Sequence, residues 1–156
     1  MPFTYHINPD AGMLVVSAEG VITQPERLAA MRAWMSDKAF RPGLNTLCDF
    51  SGAITVPTID ELMQIVMFVE ENARRIGRKK LAVVTPVPLA SAVARQFKML
   101  SVPGPLRVRV FTNRYDAHAW LLGRDASPSR GSWSPDTTRS SRGSGAAGAE
   151  SSSRGL

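Results

Sequence analysis

Few side chains in this sequence are equipped for chemistry, and their spacing restricts what they could do. The two histidines, His6 and His118, lie far apart in the chain. Either could serve as a general base or a metal ligand, but neither has a second ligand or an orienting carboxylate at a recognisable interval. The single cysteine, Cys48, would be nucleophilic only as a thiolate. It sits inside an apolar strand, where a free thiol behaves as a small hydrophobe. No Walker loop, Gly-x-Gly-x-x-Gly turn, Gly-x-Ser-x-Gly elbow or His-Glu-x-x-His pair occurs. The residues therefore read as a non-catalytic protein, with no catalytic set, no cofactor and no metal centre.

Binding chemistry has better material. Asp49 and Ser51 fall near the carboxyl end of an expected inner strand, and Thr58 heads the helix that follows. With Gly52, Thr85, Thr112 and Asn113 they would form the rim at which open parallel sheets take ligands. The plainer alternative is that Thr58 and Asn113 cap their own helices while Asp49 accepts backbone N–H groups. Arg74, Arg75, Arg78, Lys79 and Lys80 are the densest run of charge. Read as a cluster at a helix end, they complement the negative pole of the helix dipole. A phosphate-rich partner or an anionic membrane surface is the other reading. No aromatic residue interleaves with them, which argues against stacked single-stranded nucleic acid. Met63, Met67 and Phe68, with Met31, Trp34 and Met35, form the largest soft apolar set. They are either core or a face for a second subunit or an apolar small molecule.

The elements that must position these groups follow from periodicity. Phe3, Tyr5 and Ile7 alternate with polar residues, Asn8 to Gly12 is turn chemistry, and Leu14, Val16 and Ala18 alternate again, so an N-terminal hairpin is expected. Thr23-Gln24-Pro25-Glu26 is a capping box, followed by a helix presenting Leu28, Met31 and Met35. Leu47 to Phe50 reads as a short buried strand. Thr58-Ile59-Asp60-Glu61 is a second capping box, and its helix is expected to run to about Ile76, with Gly77 as its stop. That helix is apolar nearly all round, so more than one surface should cover it. Met67 and Phe68 are then expected at a self-association face or a pocket mouth. Leu81 to Val84 reads as a central parallel strand. Pro88 opens a helix expected to bury Leu89, Ala92, Val93, Gln96, Phe97 and Leu100. A last strand carries Val108 and Val110, and a short helix capped by Asn113 turns in Ala117, Trp120 and Leu121.

The order β-β-α-β-α-β-α-β-α argues for one α/β domain: a five-stranded, mixed, mostly parallel sheet with an N-terminal β-hairpin and about four helices. Polar alternates Thr4, His6, Ser17, Glu19, Arg107 and Arg109 place the helices mainly on one face. The domain is expected over 1–123. From Arg124 to Leu156 there are ten serines, five glycines and five arginines, with Trp133 and Leu156 as the large apolar residues. Such a segment is expected to be a disordered tail, because it has too little to bury. The whole chain of 156 residues is 44% hydrophobic and carries a net charge of +6. It has no apolar run of the ~18 residues that a spanning helix needs and no leader-like N-terminus, so no integral membrane association and a cytoplasmic location are expected.

The hairpin, the segment Leu47-Cys48-Asp49-Phe50-Ser51 leading to a helix, and the ending Arg107-Val108-Arg109-Val110-Phe111-Thr112 with its closing helix resemble the SpoIIAA-like, or STAS-like, superfamily. More narrowly they resemble small uncharacterised bacterial STAS/SEC14-like proteins, over roughly Pro2 to Leu122. The resemblance implies a β-α superhelix and a protein-interaction or regulatory module, binding another protein or itself. Its SEC14-like side implies a pocket for an apolar small molecule or lipid. Anti-sigma-factor antagonists of that superfamily carry an Asp-Ser-(Ser/Thr)-Gly stretch with a phosphorylated serine. Here Thr55-Val56-Pro57-Thr58-Ile59-Asp60 stands in its place, so that phosphoacceptor does not carry over.

Overall fold

The computed structural model describes residues 2–124. In chain order the elements are β1 (Phe3–Asn8), β2 (Met13–Gly20), α1 (Gln24–Met35), β3 (Asn45–Ala53), α2 (Ile59–Glu71), α3 (Ala73–Ile76), β4 (Lys79–Val84), α4 (Pro88–Leu100), β5 (Leu106–Phe111) and α5 (Arg114–Leu121). Apart from Arg124, the expected tail lies outside the described residues.

The five strands form one sheet in the order β1-β2-β3-β4-β5. β1 and β2 are the expected antiparallel hairpin, and the other three pairings are parallel. Spatial order thus equals chain order, and each crossover steps one strand in the same direction. Right-handed crossovers then fall on a single face. That is why α1, α2 and α4 share one side, against Leu14, Val16, Cys48, Leu81, Val83 and Val108. α5 comes after the last strand and is no crossover. It covers the opposite face, where Ala117, Trp120 and Leu121 meet Met13, Leu47, Ala82 and Val84. Thr4, His6, Glu19, Arg107 and Arg109 are exposed on that second face, as their alternation required.

The caps form as the sequence dictates. Thr23 with Glu26 and Thr58 with Glu61 each make a reciprocal capping box. Asn113 accepts from the backbone N–H of Asp116. Three expectations are corrected. β3 runs on to Ala53, past Phe50, through a bulge that sets the step Ser17 to Glu19 against Asp49 to Gly52. The long helix does not reach Ile76 unbroken: Asn72 leaves helical geometry (φ −107°, ψ 18°) and its side chain donates to the Phe68 carbonyl at 2.8 Å. α4 turns Phe97 inward as expected, but with Ser91 and Ala94 in place of Leu89, Ala92 and Gln96, and Leu89 and Met99 lie outside. Ser91 Oγ donates to the Thr85 carbonyl at 3.3 Å, fastening the start of α4 to the end of β4.

Gly77 fixes the entry into β4. Its φ is +72°, and a Cβ there would stand 2.7 Å from Gly43 N. Only glycine combines that conformation with that approach. The chain can therefore turn sharply after Ile76 and start β4 at Lys79, directly under the helices.

Candidate functional site

Between the sheet and its larger helical layer lies a pocket of about 170 Å³. The pleat supplies its floor. Thr46, Cys48 and Phe50 alternate inward from β3, and Lys79, Leu81 and Val83 from β4. Leu62, Ile65 and Val69 of α2 form part of its roof, with Ala90, Val93, Ala94 and Phe97 of α4. Arg27, Met31, Trp34 and Met35 close it from α1, and Thr55, Val56 and Pro57 close it between β3 and α2. The lining is overwhelmingly apolar because it is the same surface that forms the main core.

Two cations interrupt that lining. Lys79 is half-buried as a residue, while its ammonium end lies in the interior, where loss of water lowers its pKa from 10.5 to about 8. The ammonium donates to Thr46 Oγ1 at 2.8 Å, and that hydroxyl donates onward to the Leu44 carbonyl at 3.0 Å. Thr46 is itself 2% exposed. Arg27 is buried as well, and its guanidinium donates to Gln24 Oε1 at 2.8 Å. Burial lowers its pKa, and the nearby Glu61 carboxylate opposes that shift. Gln24 in turn donates to the Glu61 carbonyl at 3.0 Å and to Gln64 Oε1 at 3.2 Å. Arg27 is thus tied into the α1–α2 seam by Gln24 and the Glu61 carboxylate, whereas the side-chain partner of the Lys79 ammonium is the neutral Thr46 hydroxyl.

Cys48 also faces the pocket. Burial pushes its thiol up to about 12, with the Lys79 charge pulling weakly the other way. At neutral pH it is a protonated packing group, as its sequence context implied.

The residues singled out from sequence lie elsewhere. None of Met63, Met67, Phe68, Asp49, Ser51 or Thr58 lines the pocket. Asp49 points to the α5 side, 3.4 Å from Arg114 Nε, and its Oδ1 accepts the Ser51 backbone N–H at 2.9 Å. Both are thereby occupied at the β3 bulge. Thr58 is spent on its capping box. Met63 and Met67 are 43% and 54% exposed, and with Ile59 they make an apolar stripe along the outside of α2 at four-residue spacing. Phe68 is half-buried against the core, with the Arg32 guanidinium 5.6 Å from its ring centre.

The cationic run does not form one cluster. Lys79 enters the pocket, while Lys80 leaves by the opposite face to donate to the Trp120 carbonyl at 3.0 Å. Arg75 donates to the Met35 carbonyl at 2.7 Å, and Arg74 and Arg78 stay exposed. A period-2 reading begun at Lys79 would have placed its side chain with Leu81 and Val83; Arg27 had no comparable signal.

The architecture has a solved counterpart. An uncharacterised protein of the DUF3478 family from Shewanella loihica, described as having a SpoIIAA-like fold, matches with a TM-score of 0.52 at 14% identity. The match covers 76% of this chain and 91% of that one. The fold is SpoIIAA-like. At this identity the likeness extends to the architecture, and the pocket of this SpoIIAA-like domain is described from its own residues. No protein-family model matches the sequence, and no curated protein does. Among the described residues, no helix is long and apolar enough to cross a membrane.

Proposed function

We propose that this protein is a non-catalytic binding module that takes a small apolar molecule into the pocket under α1, α2 and α4. The pocket itself supports this reading. An engineered apolar cavity of about 150 Å³ holds benzene, and this one has about 170 Å³ behind a wall of Leu, Ile, Val, Phe and Met side chains. The chemistry around it favours holding over turnover: Cys48 is a neutral thiol, and His6 and His118 are exposed and line no part of the pocket.

The test uses the methionines. Met31 and Met35 line the pocket, whereas Met63, Met67 and Met99 are on the outer surface. Titrating benzene into the full chain, labelled at its methionine methyls, is expected to shift the resonances of Met31 and Met35 and leave the outer three in place. Shifts confined to the outer methionines would sink the reading.

A protein-interaction module that pairs with a second copy of itself is the alternative, supported by the exposed stripe of Ile59, Met63 and Met67. A sedimentation measurement decides it. A dimer that Met63→Lys together with Met67→Glu converts to monomer would favour self-association. A monomeric wild type would remove it.

A further inference from the structure

We propose that the ligand of this pocket is a small monocarboxylate, with its head at the Lys79 ammonium and an apolar body about the size of one aromatic ring against Cys48, Leu81 and Val83. The inference rests on the pocket reading above and names the ligand's chemistry.

Charge is the first ground. Lys79 carries an ammonium into a pocket whose lining includes Cys48, Ile76, Leu81, Val83 and Leu106. An ammonium has three donors. One goes to Thr46 Oγ1, whose own proton is committed to the Leu44 carbonyl, so the hydroxyl presents a lone pair and fixes the head of the lysine. Among the described residues no Asp or Glu lines the pocket. The described ion pair, Arg114 with Asp49, belongs to the opposite face. A charge taken out of water is costly unless an opposite charge or hydrogen-bond partners meet it. Arg27 is already answered by Gln24 and by the field of Glu61. Lys79 therefore leaves one positive charge for a ligand, and a single negative charge balances it.

Shape is the second ground. Lys79, Leu81 and Val83 share one face of β4, spaced about 7 Å apart by the two-residue repeat. Cys48 stands opposite Val83 in the β3–β4 register. A head anchored at Lys79 thus leaves its body lying along this row, under Ala94 and Phe97. The volume of about 170 Å³ admits a ring or a short chain, not a long acyl chain. A carboxylate also supplies oxygen acceptors for the remaining ammonium donors without the second charge of a phosphate.

Three ring compounds of matched size separate the possibilities: benzoate, benzyl alcohol and benzylamine, titrated at pH 7 into the full chain with the same methionine labels. Benzoate is expected to bind at least tenfold more tightly than benzyl alcohol, with benzylamine weakest. Lys79→Met is expected to abolish the preference for benzoate while retaining binding of benzyl alcohol. Lys79→Gln should do the same, and it serves as the test if the methionine variant fails to fold. Equal affinities for benzoate and benzyl alcohol, or a preference that survives both substitutions, would overturn the carboxylate assignment and leave the pocket reading standing. No shift at Met31 and Met35 with any ring compound, benzene included, would overturn both.

Discussion

Lys79 and Lys80 are consecutive in sequence and end on opposite faces of one strand, in contrasting surroundings. On the α5 face, the Lys80 ammonium lies 5.2 Å from the Trp120 ring centre and donates to that residue's carbonyl. Arg109 stacks over Phe111 and Trp120, and Asp49 meets Arg114. Lys80, Arg109, Asp49 and Arg114 thus find aromatic faces, a carbonyl or a counter-charge at the water boundary. On the other face, three crossover helices span a wider roof than their inner side chains fill, and the Lys79 ammonium is held in the resulting hollow by one hydroxyl. The contrast shows what an added layer does. A single short helix can pack closely on a sheet, whereas several helices of unequal side-chain size leave space between them.

Truncating the close-packed face should have the largest effect. Trp120→Ala removes a 6% exposed ring that packs on Phe111 with ring centres 5.7 Å apart. It should cost about 3–5 kcal/mol in urea unfolding. A loss below about 1 kcal/mol would mean that the α5 face is no better packed than the other.

Enlarging an alanine on each face sharpens the comparison. Ala117 is 0% exposed on the α5 side, and Ala94, 9% exposed, lines the pocket. Ala117→Leu should destabilise by about 1–3 kcal/mol, the usual cost of overpacking. Ala94→Leu has the pocket to grow into and should be close to neutral, while blocking the benzene-induced shifts at Met31 and Met35. Equal costs at the two sites, read from denaturant midpoints, would break the distinction between the faces.

The smallest effect is a pH dependence. The folded state holds Lys79 at about 8 against an ordinary 10.5, so between those values the unfolded chain keeps a proton that the folded chain has released. Stability therefore rises with pH across that window. Cys48 works the other way above its ordinary 9.0, because its folded value of about 12 retains a proton that the unfolded chain loses. Cys48 begins to act between pH 8 and 9, but its contribution is common to the wild type and Lys79→Met and cancels in their comparison. Over that unit the wild type should gain on the order of 1 kcal/mol relative to Lys79→Met. Parallel stability curves for the two proteins would place the ammonium in water, outside the pocket.

Much of the frame was legible in the residues. The capping boxes at Thr23 and Thr58, the cap at Asn113 and the five strands are local matters, governed by hydrogen bonds and periodicities a few residues long. The candidate site was less legible. α2 showed apolar residues nearly all round, and periodicity could not say that Leu62, Ile65, Val66 and Val69 would face in while Ile59, Met63 and Met67 faced out. The cationic run read as one exposed cluster because its charges are adjacent, although the first residue of a strand already obeys the pleat. Arg27 gave no sign of burial, since its hydrogen bond to Gln24 lies one helical turn away and the Glu61 that faces it comes from another helix.

The sequence by itself determined the elements, the hairpin, the caps and the class of fold, because each depends on backbone preferences and side-chain periods within one segment. It also determined that Lys79 would share a face with Leu81 and Val83, since the strand repeat permits nothing else. Only the tertiary structure decided which face became the hollow one. That outcome depends on right-handed crossovers stacking three helices on one side, on α5 returning to the other, and on the fit between side chains from segments distant in the chain. Volumes left between such segments are differences between large packed surfaces, and no local pattern encodes them.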